Sequence, residues 1–399
     1  MNAKDYHSLF NRMLYDSPLH RLWGKLIFAL ILLITLYLAG DVWRGWLTPL
    51  SNGWLILYAM TIAFCGSLIG IAFLLYLDRR DPEPWWFFVG TLLAALLLTT
   101  APAAYFNSIS PVPTLTVGFN EEFWKVLPLL LLIFFAPTLV SGTRDGLIYG
   151  ALGGFGFNIT EIADYFLKVS YPAEGMEGLS GQLVRLGWWG IGNHVFWSAL
   201  VGAGIGYALE TDHRLRKITV PLAAYLAAVF THTLQDNLVG PMIGLGLAGL
   251  VLFLQGVDIN GLNMQDQDNL PESVKSAMAI GLPLEALVIN IINILLLIIA
   301  LRRSGNWERA IVREELADES AAIITPEEYA GVETEKRFRL RRIPGYARGK
   351  GRQIRNAQNA LAFHKRYLRR RGRSLETDPL VTYWRDEVLR LRNAQSAPS

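Results

Sequence analysis

The chain is divided into apolar runs of about the length that crosses a bilayer, separated by short charged turns. No charged residue stands between Trp54 and Leu77, and none between Trp85 and Asn120. A helix needs about 20 mostly apolar residues to cross roughly 30 Å of hydrocarbon. In lipid it also satisfies every backbone N–H and C=O within its own segment, which an open sheet does not. The expectation is therefore an all-α, polytopic transmembrane helical bundle of about eight to nine spans. Leu22 to Gly40 is long enough to cross and lacks a small-residue cleavage pattern after it, so it reads as a first span rather than a leader. The single Cys65 excludes an internal disulfide framework or cysteine metal site and reads as a small buried hydrophobe.

Spans are expected near 22–41, 54–77, from 85, then 119–140, 146–167, 188–209, 218–238 and 282–301. The segment 239–256 is short and glycine-rich and reads as re-entrant or interfacial. A full crossing there would put the two termini on opposite sides. The turn Asp78-Arg79-Arg80-Asp81-Pro82-Glu83-Pro84 carries two prolines, and Trp85-Trp86 follow it where aromatic belts anchor helices. Loops beginning at 1 (Lys4, Arg12, Arg21), 78, 144 and 210 carry the Lys/Arg and are expected in the cytoplasm. The charge-poor loops near 41–53 and 106–118 are expected outside. An acidic loop with Asp258, Asp266, Asp268 and Glu272 precedes the last span.

The net charge of +3 conceals two opposed parts: from Leu301 onward 22 Lys/Arg face 13 Asp/Glu, whereas the upstream balance is −6. Two domains are expected: a membrane domain, 1–301, and a basic, helical, soluble C-terminal tail, 302–399, which is cytoplasmic. Thr325-Pro326 and Asp378-Pro379 read as helix N-caps followed by proline in the first turn. The basic run Arg337–Arg373 reads as a solvated face beside anionic headgroups rather than a nucleic-acid surface, so no nucleic acid is expected as a partner. His7, His20, His213 and His364 read as ordinary surface residues.

Four polar clusters interrupt the apolar runs: Glu121/Glu122/Lys125, Glu161 with Asn158 and Asp164, His194 with Asn193, and His232 with Asp236. An intramembrane charge costs about 2.5–3.5 kcal/mol even on a lenient insertion scale, so such clusters mark wet, functional cavities. Following the chain back and forth places all four in the same leaflet. Two carboxylates and two imidazoles at one depth suit activation of water: a glutamate moves the proton, and a histidine orients water or donates to an oxyanion. The same set suits a divalent metal, although the His-Glu-x-x-His spacing of zinc proteases is absent. His232 and Asp236, four apart, share a helix face, which suits a metal pair or a carboxylate that fixes the imidazole tautomer. Asp164 reads as interfacial, and Glu285 has no partner in view.

Glu121-Glu122-x-x-Lys125, Phe157-x-x-x-Glu161, His194 and His232-x-x-x-Asp236, taken in order, resemble the motifs of the PrsW family of intramembrane proteases. Asp78 to Trp85 is similar to that family's Asp-Arg-x-x-Pro-Glu-Pro-Trp turn. The resemblance covers about residues 54–240 and omits the tail. It implies cleavage of a membrane-anchored anti-sigma factor on the external side of a bacterial membrane, so the partners are a spanning substrate and the bilayer. It also implies that Glu121 is the general base and that Glu122 and Lys125 hold it. His194, His232 and Asp236 would position water or the oxyanion. Glu161 stands where the wider clan, which includes the prenyl-protein endopeptidases, often has histidine. Metal use stays open at this point. If zinc is bound, Glu121, Glu161, His194 and His232 are its candidate ligands; otherwise there is no cofactor. A non-enzymatic scaffold or sensor that uses the same pocket for binding is the alternative. A proton-coupled transporter is a third reading, disfavoured because the two halves show no internal repeat.

Overall fold

A computed structural model describes residues 14, 16–237, 239–257, 271–336 and 340–393. Lys4, His7, Arg12, Asp258, Asp266 and Asp268 lie outside the described residues. No strand occurs among the described residues, and the fold is the expected all-α membrane bundle. Its principal helices are α1 Leu22–Leu47, α2 Leu50–Leu77, α3 Trp85–Leu98, α4 Thr100–Ile109, α5 Pro113–Phe135, α6 Thr143–Tyr165, α7 Asn193–Glu210, α8 Arg216–Asp236, α9 Val239–Leu254, α10 Glu272–Leu316, α11 Pro326–Glu333, α12 Arg348–Arg370 and α13 Pro379–Asn393.

Among the described residues, five segments are long and apolar enough to cross a membrane: Leu22–Gly40, Leu50–Arg80, Trp85–Ile109, Arg216–Asp236 and Glu272–Leu316. That is fewer than the expected eight to nine. Helices α5, α6 and α7 do not qualify, and they are the ones that carry Glu121–Lys125, Glu161 and His194. Polar residues set for chemistry lower the apolar average of the helix that holds them. Helix α9, at 16 residues, is also short of a crossing. Large side chains exposed along the bundle, among them Leu33, Ile69, Phe230 and Ile299, form the face turned to lipid. Cys65 belongs to that exposed face and is not the buried hydrophobe expected.

Glycine decides how closely the central helices approach. On α6, Gly146, Gly150 and Gly154 recur every fourth residue and so share one face. A Cβ on them would lie 2.2, 2.4 and 2.4 Å from the carbonyl oxygens of Gly202, Ser198 and His194 on α7. Gly202 and Gly206 return the same close approach to Gly146 and Gly142. This ladder of small residues lets two backbones touch, as is common where helices meet in lipid. Gly153, one residue round the helix, admits the backbone of Lys125 on α5, since a Cβ there would lie 2.0 Å from its carbonyl oxygen. Helix α6 is thus the buried post against which the glutamate helix and the first histidine helix are both seated.

Helix α5 starts at Pro113, six residues earlier than expected, because proline suits the first helical turn. The stretch between the spans expected at 146–167 and 188–209 is a series of short helical turns, and α7 starts at Asn193 rather than 188. Helix α10 runs unbroken through position 301 into the tail.

The tail has its own core, built from Ile311, Leu316, Ile354, Leu361, Val381 and Val388. Both expected caps are present. Thr325 and Glu328 form a capping box, and Asp378 accepts hydrogen bonds from the Leu380 and Val381 amides. The basic run is not simply a solvated face. Lys365 is buried and binds the Glu315 carbonyl, Asp318 and Glu319, and Arg341 is buried against Glu335 and Gln358. His364 is likewise buried, 2.8 Å from Asp378, rather than on the surface; burial inside the folded tail absorbs charges that sequence spacing leaves looking free.

Four turns of the membrane domain meet this tail on one face. Asp16 pairs with Arg373 at 2.6 Å and Arg80 with Glu335 at 2.9 Å. Arg144 pairs with Glu308, at the tail end of α10, at 2.7 Å, and Asp212 pairs with Arg370 at 2.9 Å. Arg80 is almost wholly buried, and its carbonyl accepts from Asn359 of α12, so the two-proline turn is clamped by the tail.

Candidate active site

At the end of the bundle away from the tail, the seven charged or ionisable candidate residues, drawn from all four clusters, come together. Helix α5 supplies Glu121, Glu122 and Lys125, α6 supplies Glu161, α7 opens with His194, and α8 closes with His232 and Asp236. The hub is Lys125 Nζ, with no solvent exposure. It lies 2.8 Å from Glu122 Oε1, 3.3 Å from Glu121 Oε2 and 2.6 Å from His194 Nδ1. It also sits 4.3 Å from the centre of the Phe157 ring, so an aromatic face covers the one side without a polar partner.

The partners fix the imidazoles. Lys125 can only donate, so His194 Nδ1 accepts. His194 Nε2–H then donates to Glu161 Oε2 at 2.9 Å, and Arg185 holds the same oxygen at 3.2 Å. Glu161 therefore stands behind His194 and not beside Glu121. His232 Nδ1 donates to Glu122 Oε1 at 2.9 Å, and its Nε2 lies 3.2 Å from Asp236 and 3.6 Å from Glu121 Oε2. The Trp197 ring stacks on His232, with centroids 4.1 Å apart and planes 18° apart, which holds the imidazole flat.

The two neighbouring glutamates differ in what they are free to do. Glu122 is completely buried and committed to Lys125 and His232. Glu121 accepts from Asn107 through Oε1 at 2.9 Å, while its buried Oε2 has no hydrogen-bond partner among the described residues. A carboxylate oxygen of Glu121 lies within 4.8 Å of a nitrogen of His194 and of His232. Asp236, 41% exposed at its side chain, marks the open edge of the group.

Several supporting residues carry no signal in the sequence. Asn107 comes from α4 and Arg185 from the turns before α7. Their types and positions are unremarkable until the chain folds. A polar strip on α10 backs α7 and α8: Asn290 donates to Asn193 at 2.9 Å, and Asn193 to Gln235 at 3.0 Å. Asn293 donates to Thr231 at 2.8 Å. Glu285, for which no partner was in view, accepts from Gln235 Nε2 at 2.6 Å. Asp164 stands apart from the site, bound to Trp46 and Lys168 at 2.6 Å each.

Part of this donor set is arranged as a divalent metal would need it. Glu121, His194 and His232 offer one oxygen and two nitrogens, all within 4.8 Å of one another, and the buried Glu121 Oε2 has no hydrogen bond to give up. The set fits zinc, which is held by N and O donors of this kind. Glu161, committed to His194 and Arg185, is outside it.

Residues 83–257 match the family model described as PrsW family intramembrane metalloprotease. The matched stretch contains all seven residues and stops short of the tail. No curated protein and no solved structure matches the chain.

Proposed function

Residues 83–257 carry a PrsW family protease domain and make the chain an intramembrane peptidase, and from that premise we propose that Glu121 activates the water that cuts its substrate. The observation that carries this reading is the contrast between the two glutamates: Glu122 is bound closely to Lys125 and His232 at 2.8 and 2.9 Å, while the buried Glu121 Oε2 makes no hydrogen bond and has only the longer ion-pair contacts to Lys125 at 3.3 Å and His232 at 3.6 Å. A water held at Oε2 gives that oxygen a proton as its own oxygen attacks the scissile carbonyl carbon. The proton then passes to the leaving amide nitrogen as the C–N bond breaks. His232, kept in plane by Trp197 and anchored through Nδ1, points Nε2 to where an oxyanion would form. Lys125 offsets the charge of two carboxylates that would otherwise repel each other in a dry site.

With zinc bound at Glu121, His194 and His232, the metal would polarise the carbonyl and lower the pKa of its water. His194 Nδ1 would then have to release Lys125. Glu122 and Glu161, bonded to the far nitrogens of the two rings, are placed as the carboxylates that orient metal-binding histidines.

The proposed substrate is a membrane-anchored regulatory protein of the anti-sigma-factor kind with a single span, cut near the external face. The tail and the four turns it touches are then cytoplasmic, which agrees with their Lys/Arg content. The test is cleavage of a tagged single-span substrate by wild type and His232→Ala in nanodiscs, with and without a strong chelator. Cleavage lost in the variant but kept by wild type under chelation supports water activated at this site without metal. Loss under chelation, restored by zinc, assigns the histidines as ligands. No cleavage of any external juxtamembrane sequence contradicts the reading and returns the scaffold alternative.

A further inference from the structure

The tail and the membrane domain do not close fully on one another. Between them lies a cavity of about 820 Å³, within the range of small-molecule sites. One wall is the two-proline turn, with Asp81 and Glu83, and the tail-side ends of α5, α7 and α8, with Ile133, Leu209 and Lys217. The other wall is α12 and α13, with Trp384 and a group of arginines. Nothing in the peptidase chemistry uses this space, which lies at the opposite end of the bundle.

Its lining is basic and aromatic. Five cations, Lys217, Arg366, Arg370, Arg371 and Arg390, face three carboxyl groups, Asp81, Glu83 and Glu387. Burial, reinforced by the neighbouring carboxylates Asp78 and Asp145, pushes the Asp81 and Glu83 carboxyls well above their ordinary range, so they oppose the cations weakly. Arg366 is only loosely matched: its ion pair with Glu314 is long, at 3.9 Å, and its Nε is buried without a hydrogen-bond partner. Trp307, Phe363 and Trp384 add flat apolar surface beside these charges. Guanidinium groups next to aromatic faces recognise phosphate joined to a planar or apolar body.

We propose that this cavity binds a phosphate-bearing ligand, its phosphate held by Arg366 and Lys217 and its apolar part against Trp384 and Trp307. Two sources share that chemistry, a soluble nucleotide and the headgroup of an anionic phospholipid. Such a ligand touches the clamped turn at 81–83 on one side. On the other it touches Arg370, which holds the α7–α8 connection through Asp212. Its occupancy is therefore felt by the two helices that carry His194 and His232.

The test uses the full chain in nanodiscs and reads thermal unfolding and binding by tryptophan fluorescence. One arm adds ATP to phosphatidylcholine discs; the other replaces part of the lipid with phosphatidylglycerol. Wild type is expected to respond in at least one arm. Arg366→Gln and the exposed, fold-neutral Lys217→Gln are expected to weaken that response by about tenfold or more. Arg352→Gln, on an exposed part of the same helix outside the cavity, leaves it unchanged. A response to ATP identifies a soluble ligand, and a response to phosphatidylglycerol alone identifies a headgroup. No response in either arm, or one that Lys217→Gln and Arg352→Gln alter equally, overturns the proposal. The assay reads binding, so its outcome does not depend on peptide cleavage.

Discussion

Lys125 Nζ lies 2.6 Å from His194 Nδ1, and this contact ties the glutamate helix to the first histidine helix inside the bundle. A buried ammonium that touches two carboxylates and an imidazole holds four ionisable groups in one geometry. Removing it strands charge that has no access to water.

Lys125→Met should accordingly destabilise the protein by about 3–5 kcal/mol, the usual consequence of breaking a buried ion pair from one side. Thermal unfolding in detergent would measure this. Lys125→Arg should not restore cleavage, because a planar fork cannot reproduce three contacts made by a point charge. Wild-type stability in the Met variant would mean that the cluster is more hydrated than its burial indicates.

The glycine ladder makes a separate prediction. A Cβ at Gly150 would lie 2.4 Å from the Ser198 carbonyl, a backbone atom that cannot rotate away. Gly150→Val should force α6 and α7 apart, destabilise by about 1–3 kcal/mol or more, and lower cleavage by disturbing the Glu161–His194 contact. Gly246→Ala, in open space on α9, serves as the control and should change neither quantity.

How much of this was legible beforehand differs by feature. The seven polar residues stood out because each is charged or ionisable inside an apolar run, and the alternation of helix direction was enough to put them at one depth. The spacing of Gly146, Gly150 and Gly154 is visible in the sequence, but which helix it admits is not, since any neighbour would leave the same spacing. Asn107 and Arg185 are polar residues near helix ends, where such residues are ordinary, so only the fold shows them beside Glu121 and Glu161. Burial of Lys365, Arg341 and His364 was missed for a related reason. Their partners Glu315, Asp318, Glu335 and Asp378 are distributed over other segments of the tail, and a basic run read alone looks solvated.

The tail should show a pH dependence that isolates His364. Burial holds its imidazole below the ordinary value of 6.5, against the pull of Asp378 and Asp16; Arg373 acts in the same direction as burial, and Tyr367 stacks on the ring. The unfolded chain therefore takes up the proton first as pH falls. The stability contributed by the neutral histidine is present above pH about 6.5, declines below it, and levels off once pH is under the folded value. Raised carboxyls such as Glu83 act in the opposite sense over acid pH, so the quantity to measure is the difference between wild type and His364→Gln. That difference should be flat at pH 7–8 and shift to the disadvantage of wild type between pH 6.5 and 5. A difference independent of pH would mean that the histidine titrates alike in both states.

The central claim is that Glu121, and not its buried neighbour, handles the proton of the attacking water. The most direct measurement is single-turnover cleavage of a single-span substrate in nanodiscs by wild type and Glu121→Gln, with thermal unfolding recorded on the same samples. The account predicts a loss of about 10²–10⁴-fold in rate, the range for a general base, with little change in unfolding temperature, because Lys125 keeps its closer pair with Glu122 at 2.8 Å and the substituted side-chain amide can still accept from Asn107. Cleavage within a few-fold of wild type in the well-folded Glu121→Gln protein would contradict it.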